Sequence, residues 1–187
     1  MSQANQKVAR LRREETILLV VDVQERLLPV IHEAERVVKN CEILARAAIQ
    51  LKIPIVAAEQ YPKFLGGTEP SLVAALGDTP IFAKMLFSAC TGDMMKVIEA
   101  THRRSVLVCG IEAHVCVMQT ALDLLEAGFT VFVAGDATSS RTAENHRVGW
   151  ERMLRAGAVP TSAESAVFEL LREAGTPDFK ALLPVLK

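Results

Sequence analysis

The sequence predicts an α/β protein in which helices cover both faces of a parallel sheet. Short apolar segments rich in β-branched residues alternate with segments whose apolar residues recur at helical spacing. Strands separated by helices must run parallel, because each right-handed crossover places its helix on a face of the sheet. Half of the 187 residues are hydrophobic and only 5% are aromatic, as in aliphatic α/β proteins. We therefore expect a doubly wound α/β fold.

The first half of the chain alternates strands with helices. Residues 16–21 are continuously apolar and too short for a buried helix, which predicts a central strand covered on both faces. Residues 34–51 carry an apolar stripe at helical spacing that stops before Pro54, so they are predicted to form a helix. By the same criteria we predict strands at 53–58 and 81–84, and a helix at 93–101.

The second half continues the alternation. Residues 105–109 and 129–134 are apolar strands, and the helical face at 114–127 between them ends at Gly128, a residue that suits a left-handed helix end. A helix at 147–156 is closed by Gly157. The remaining predictions are an edge strand at 158–161, a helix at 163–174 behind the capping residue Ser162, and a terminal helix at 177–187.

Domain organisation follows from length and composition. A chain of this size buries enough surface to fold without disulfides. No repeat, low-complexity tract or linker divides it, and the Gly66-Gly67 stretch is short enough to be a loop. We predict a single domain over residues 1–187, with residues 1–13 as a flexible N-terminal extension.

Charge and hydropathy limit the classes of partner that the protein is expected to bind. The formal net charge is -1, and the basic residues near the start of the chain are followed at once by Glu14 and Glu15, so no basic nucleic-acid footprint is present. No apolar run approaches the roughly 20 residues of a membrane span, and the opening segment lacks the apolar core of a signal peptide. The four cysteines have no zinc or disulfide spacing. We expect a cytoplasmic protein that binds neither nucleic acid nor membrane.

Three polar residues follow predicted strands at their carboxyl ends. In an open parallel sheet these ends border the ligand crevice. Asp22 comes directly after the first strand, Lys84 ends the strand at 81–84, and Cys116 lies just beyond the strand at 105–109. Taken alone, Asp22 has an alternative role as a turn cap and Lys84 as a surface charge. The apolar neighbours of Lys84 favour its desolvation.

Cys116 differs from the other cysteines by its position. Cys41 and Cys109 lie on a helix stripe and within a strand, where thiols serve as small apolar groups. Cys116 lies in the first turn of a predicted helix, whose free amides lower a thiol's pKa. Such a thiol acts as a nucleophile when a base such as Asp22 accepts its proton.

These residues occur in segments that resemble the isochorismatase-like hydrolases, on their cysteine-hydrolase branch. The resemblance rests on VVDVQ, AAEQYPKFLGGT, IFAKMLFSA and CGIEAHVCV, and it spans roughly residues 14 to 170. It implies a three-layer sandwich with a six-stranded parallel sheet in the order 3-2-1-4-5-6. It also implies a catalytic triad of Asp22, Lys84 and Cys116.

The resemblance further implies a reaction and an assembly. A cis peptide after Ile111 and an oxyanion hole from the backbone amides of Glu112 and Cys116 belong to the family pattern. The implied reaction is hydrolysis of a small amide through a thioester on Cys116. Relatives that assemble as dimers to octamers imply a homo-oligomer.

The sequence departs from the nicotinamidases of this superfamily. They carry metal-binding histidines after the second strand, whereas residues 58–68 contain none. We therefore expect no metal and no cofactor, and nicotinamide is a doubtful substrate. A thiol nucleophile also argues against the vinyl-ether hydrolysis of true isochorismatases. The alternatives to an amidase are a binding protein of this fold without turnover and a redox sensor.

Residues that flank the strand ends are candidates for contact with the small-molecule substrate. They are Gln24, Gln60, Tyr61, Phe87 and His114, with Phe64 nearby, although packing and loop capping explain such residues equally well. For His114 the alternative is a solvent-facing position at a helix start. Asp136, with Ser139 and Ser140, fits no phosphate-binding spacing and is predicted to form a turn.

Overall fold

The computed structural model describes residues 8–186 and contains one six-stranded sheet. All neighbouring strands pair in parallel, in the order β3-β2-β1-β4-β5-β6. This confirms the predicted fold class and strand order. The strands are β1 (Thr16–Val21), β2 (Ile55–Gln60), β3 (Ile81–Lys84), β4 (Ser105–Ile111), β5 (Thr130–Ser139) and β6 (Val159–Thr161).

Helices connect the strands and cover both faces of the sheet. They are α1 (Ala34–Gln50), α2 (Pro62–Leu65), α3 (Pro70–Leu76), α4 (Gly92–Ala100), α5 (Met118–Glu126), α6 (Ala143–Arg155), α7 (Ala163–Leu171) and α8 (Pro177–Leu182). A 3₁₀ turn, Leu28–Val30, precedes α1, and a π-helical turn, Ala113–Val117, leads into α5. Among these described helices, none is long and apolar enough to cross a membrane.

The core consists of two layers separated by the sheet. Every residue of β1 is buried, and alternate side chains enter opposite layers, as the two-residue period of a strand requires. Leu18 and Val20 pack in the layer of α1, α3 and α7, while Ile17 and Leu19 pack in the layer of α4 and α5. The continuous apolar run at 16–21 thus reflects a strand covered on both faces, as predicted.

Several element boundaries differ from the sequence predictions. The spacing predicts neither α2 nor α3, each of which begins at a proline, the residue preferred in the first turn of a helix. The predicted turn at Asp136 is wrong, because β5 continues to Ser139. The register passes from the Val108–Val133 pair to the Gly110–Thr138 pair, so Asp136 lies in an irregularity within the strand.

Distant backbone groups hold this irregular part of β5. The Asp136 carboxylate accepts a 2.8 Å hydrogen bond from the amide of Ala163 at the start of α7. The Asp136 carbonyl accepts another, also 2.8 Å, from the side chain of Asn40 on α1. Asp136 therefore connects three elements and does not form the local bond of an Asx turn.

The chain ends also differ from expectation. Leu11 is buried in the core, and Arg13 bonds to the carbonyl of Leu51 and to Asp178, so residues 11–13 pack against the domain, whereas residues 8–10 are exposed. Residues 1–7 of the predicted extension lie outside the described residues. The terminal helix α8 ends at Leu182, five residues before the predicted end at 187.

Candidate active site

The carboxyl ends of β1, β3 and β4 bring the three predicted catalytic residues together. The register pairs Val21 with both Ala58 and Gly110, and Gln60 with Lys84, so the strand ends align at one edge of the sheet. Lys84 Nζ lies 2.7 Å from Asp22 Oδ2, and neither side chain is exposed to solvent. The Cys116 thiol is close enough to Asp22 to affect the pKa of its carboxyl group.

Asp22 is a buried residue whose two carboxyl oxygens differ in their contacts with residues 8–186. Its backbone is left-handed (φ 53°), a conformation that is costly for a residue other than glycine and is frequent at functional sites. Oδ2 accepts a hydrogen bond from Lys84, whereas Oδ1 has no well-aligned donor among residues 8–186. Burial raises the pKa of Asp22, and the charge of Lys84 opposes this effect. A carboxylate with a raised pKa and an oxygen that accepts no bond from residues 8–186 is suited to accept a proton.

The ammonium group of Lys84 is surrounded by oxygen atoms of side chains and of the backbone. Its ammonium group lies within hydrogen-bond distance of four oxygens: Asp22 Oδ2 (2.7 Å), Gln60 Oε1 (2.8 Å), the Phe87 carbonyl (2.9 Å) and the Leu86 carbonyl (3.2 Å). We predicted that the apolar side chains around Lys84 desolvate it. That is wrong for Met85, Leu86 and Phe87, which are 68%, 65% and 54% exposed. An ammonium group has three donors, so these contacts occupy all of them.

Cys116 lies in the π-helical turn Ala113–Val117, a type of turn that often occurs at functional sites. Only 6% of the residue is exposed. Burial, followed by the negative charge of Asp22, raises the pKa of Cys116 to about 12. The predicted lowering by the helix start is therefore wrong for the resting site, because desolvation and Asp22 outweigh it. The resting thiol is protonated at neutral pH and needs a base before it can attack.

The strands that lead to Asp22 and Cys116 approach each other closely. Gly110, two residues before Glu112 on β4, has φ 119°, and a Cβ atom there would overlap the backbone of Val21. Only glycine fits this position. The peptide bond between Ile111 and Glu112 is cis, as the family resemblance implies.

A carboxylate and a guanidinium group flank the turn that carries Cys116. Glu112 forms hydrogen bonds of 3.1–3.3 Å with Arg141. The Glu112 side chain is 10% exposed, whereas that of Arg141 is 61% exposed. His114 Nδ1 lies 2.9 Å from the hydroxyl of Ser140. Sequence reasoning missed Arg141 and Ser140 as partners, because they follow β5 and no local pattern connects them to residues 112–114.

The two glutamines predicted to bind substrate form hydrogen bonds within the site. The fully buried Gln24 donates to the carbonyls of Gln60 (3.0 Å) and Gly66 (2.7 Å) and accepts from the Gln60 amide (2.8 Å). Gln60 accepts from Lys84 and donates to the carbonyl of Met85 at 2.9 Å. Gln24 thus fixes the end of β2, and Gln60 orients the ammonium group of Lys84.

A model of the isochorismatase domain matches residues 16–165. The chain belongs to the isochorismatase family. A similar curated protein is the secreted isochorismatase effector Isc1 of Phytophthora sojae, 38% identical over all of this chain and 91% of that protein. The isochorismatase fold also recurs in the solved structure of the MAR1 ribonuclease of Caenorhabditis elegans, which has a TM-score of 0.91, 37% identity, and coverage of 95% of this chain and 92% of that one.

A second solved structure of this fold is the Escherichia coli YcaC gene product, described as an octameric hydrolase of unknown specificity. It has a TM-score of 0.88 and 25% identity, and the match covers 97% of this chain and 92% of YcaC. Membership of the isochorismatase family supports a hydrolase activity for this chain.

Exposed apolar side chains lie beside this isochorismatase-family site. Tyr61 has a left-handed backbone (φ 38°), and its ring stacks on Phe64 with centroids 6.1 Å apart. A cavity of about 270 Å³ lies against β3 and α2, with Tyr61, Ala83, Lys84 and Met85 among its lining residues. We call the exposed apolar side chains here the apolar rim; they are Tyr61, Phe64, Met85, Leu86 and Phe87.

The described residues contain no group of three or more His, Cys, Asp or Glu side chains placed to hold a metal ion. His114 lies within the turn that carries Cys116.

Proposed function

We propose that this isochorismatase-family protein is a cysteine-dependent hydrolase of small amides, with Asp22, Lys84 and Cys116 as its catalytic triad. The observation that carries the proposal is the state of Asp22. Its carboxyl group is buried and paired with Lys84 through one oxygen. The other oxygen has no hydrogen-bond partner among residues 8–186, and the neighbouring thiol has a pKa raised to about 12. A protonated thiol beside an unpaired carboxylate oxygen is the arrangement that general-base activation requires.

The first half-reaction forms a thioester. Oδ1 of Asp22 accepts the proton of the thiol, and the sulfur of Cys116 attacks the amide carbonyl carbon. The backbone amides of Glu112 and Cys116 stabilise the oxyanion of the tetrahedral intermediate. Asp22 then donates its proton to the leaving nitrogen, the C–N bond breaks, and ammonia or an amine departs.

The second half-reaction consumes one water. Asp22, again a carboxylate, accepts a proton from the water while the water oxygen attacks the thioester carbon. The C–S bond breaks, a carboxylic acid leaves, and the proton returns to the sulfur of Cys116. The positive charge of Lys84 favours both the carboxylate and the thiolate, because it lowers the pKa of each group.

The contacts of the site favour a small, uncharged substrate. Cys116 is 6% exposed, so a bulky group cannot reach the sulfur without movement of the chain. The ammonium group of Lys84 is fully engaged and offers no donor to a substrate anion. We propose that Tyr61, Phe87 and His114 contact the substrate, and that Gln24 and Gln60 act mainly by holding Lys84 in place.

The test is hydrolysis of a panel of small amides by the parent protein and by Cys116→Ala. We expect at least a ~1,000-fold loss of kcat/KM in the variant, since the nucleophile of a covalent mechanism is removed. Cys41→Ala is the matched control, because Cys41 is also a buried thiol with a raised pKa and lies on α1, outside the triad. We expect it to keep parental activity.

Mass measurement at short reaction times identifies the intermediate. The acyl group should add its mass to the peptide that contains Cys116. Equal amide hydrolysis by Cys116→Ala and the parent would show that the mechanism is wrong. An RNA oligonucleotide is included in the panel because the C. elegans relative is called a ribonuclease. RNA cleavage that survives Cys116→Ala, without amide hydrolysis, would favour that activity instead.

We also propose that the protein is a cytoplasmic homo-oligomer. All four cysteines are free thiols, which suits a reducing compartment, although the P. sojae relative is named as secreted. Exposing the apolar rim to water is unfavourable in a monomer. The E. coli YcaC relative is described as octameric. We assign the rim to contact with a second copy of the chain.

A further inference from the structure

A buried threonine connects the nucleophile to the loop that holds Lys84. The Thr120 side chain, on α5, has no solvent exposure. Its hydroxyl donates to the carbonyl of Cys116 at 2.6 Å and accepts from the amide of Ala89 at 2.8 Å. One hydroxyl therefore joins two segments that are distant in sequence.

Each end of this bridge belongs to the catalytic machinery. Cys116 carries the nucleophilic sulfur, and its carbonyl is part of the π-helical turn. Ala89 ends the segment in which the carbonyls of Leu86 and Phe87 accept hydrogen bonds from Lys84. The position of this segment relative to the Cys116 turn thus depends on Thr120.

A simpler explanation accounts for half of this geometry. A threonine hydroxyl in a helix often donates to the carbonyl four residues earlier, as Thr120 does to Cys116. That local bond does not explain the second contact. The amide of Ala89 is buried and would otherwise be an unpaired donor, an unfavourable state that the hydroxyl of Thr120 relieves.

We propose that Thr120 is a positioning residue for the proposed amidase reaction. It fixes residues 86–89, called the Lys84 loop because two of their carbonyls bind Lys84, against the turn that carries Cys116. The inference rests on the proposed function. Without the hydroxyl, the Ala89 amide must find another partner and the loop must move. The contact between Lys84 and Asp22 then weakens, and the pKa of Asp22 rises, because Lys84 lowers it in the intact site.

The test follows iodoacetamide alkylation of Cys116 from ~pH 4 to ~pH 9 by peptide mass mapping, because the rate reports the first ionisation of the Asp22–Cys116 pair. In Thr120→Val, which keeps the branched shape, we expect the midpoint to rise by about half a pH unit or more. With an amide from the panel, kcat/KM should fall about tenfold, mainly through kcat. Thr120→Ser should restore both values.

Thr101→Val is the matched control. The Thr101 hydroxyl also joins a carbonyl and an amide, those of Ile98 and Arg103, but it lies at the end of α4, before β4 begins. We expect a parental midpoint from this variant. Loss of fold stability alone does not move an ionisation midpoint, so the readout separates positioning from folding.

The outcomes are distinct. A parental midpoint in folded Thr120→Val, or an equal shift in Thr120→Ser, would overturn the inference. If Thr120→Val does not fold, Thr120→Ala compared with Thr120→Ser gives the same test. A shifted midpoint with no amide hydrolysed anywhere in the panel would leave the positioning role standing and remove the amidase proposal. Amide hydrolysis by the parent, with parental midpoints in the Thr120 variants, would leave the amidase proposal standing and remove the positioning role.

Discussion

Single residues determine the acid-base properties of the site. The sequence places Asp22, Lys84 and Cys116 correctly at the strand ends, because the carboxyl ends of parallel strands share one edge. Their pKa values were not predictable from sequence. The pKa of Cys116 depends on burial by elements distant in the chain and on the charge of Asp22, neither of which a local pattern reports.

Replacing Lys84 should move the pH dependence of the reaction. In Lys84→Met the ammonium group is lost, so the pKa values of Asp22 and Cys116 both rise further, because its charge lowers both. Asp22 must be ionised to act as a base. The acid limb of the kcat/KM profile should therefore shift to higher pH, with lower activity at neutral pH. Steady-state kinetics from acid to neutral pH measures the shift.

Lys96→Met is the control for this experiment. Lys96 is also paired with a carboxylate, Asp93, at 3.1 Å, but its side chain is 78% exposed. Exposed ion pairs contribute little, so this variant should keep the parental profile. An acid limb at the same pH in Lys84→Met and the parent would mean that Lys84 does not control Asp22.

At the scale of whole elements, helix α6 packs directly on the turn that carries Cys116. A Cβ atom at Gly149 would lie 2.6 Å from the Ala113 carbonyl oxygen and 2.6 Å from the Cα of His114. Backbone on backbone at this spacing leaves no room to adjust, so α6 fixes the position of the Cys116 turn.

Gly149→Ala should therefore affect both stability and activity. We expect α6 to be displaced, with a loss of about 1–3 kcal/mol in the free energy of unfolding, as for other overpacked sites. kcat/KM should fall as well, because the Cys116 turn moves with the helix. Urea unfolding and amide hydrolysis measure the two effects.

Gly92→Ala provides the comparison, since it opens helix α4 and nothing lies within 4 Å of a Cβ built there. Its free energy of unfolding should stay within about 1 kcal/mol of the parent. Parental stability and activity in Gly149→Ala would show that the two backbones can separate without consequence.

Elements were predictable where their apolar pattern is strong and were missed where long-range bonds define them. The strand at 16–21 and the helix beginning at 34 follow from periodicity alone. The last residues of β5 do not. They are polar, and their structure depends on bonds from Ala163 and Asn40, which the sequence near Asp136 does not reveal.

For the whole molecule, the sheet order and the two-layer core follow from the alternation of strands and helices and from the chain length. Which exposed apolar side chains become covered depends on partners that a single chain does not contain. The apolar rim illustrates this. The edge strand β3 is followed by Met85, Leu86 and Phe87. From the sequence we predicted that these apolar side chains desolvate Lys84, but they are exposed.

Charge placed on the apolar rim should dissociate the proposed oligomer. We expect the double variant Leu86→Asp with Phe87→Asp to elute as a monomer of about the 20.4 kDa chain mass, because two buried carboxylates would lack partners in the interface. Light scattering coupled to gel filtration measures the mass. Val148→Asp, at another exposed apolar side chain, should leave the assembly intact. A monomeric parent would contradict the proposal.

The close approach at Gly110 has a practical consequence for engineering. Any side chain at residue 110 would push apart the two central strands that lead to Asp22 and Cys116. A library designed to change substrate preference should therefore keep residue 110 invariant, together with the strand ends. Diversity is better introduced at positions such as residue 63, whose exposed side chain lines the adjoining cavity and belongs neither to the apolar rim nor to the hydrogen bonds of Lys84.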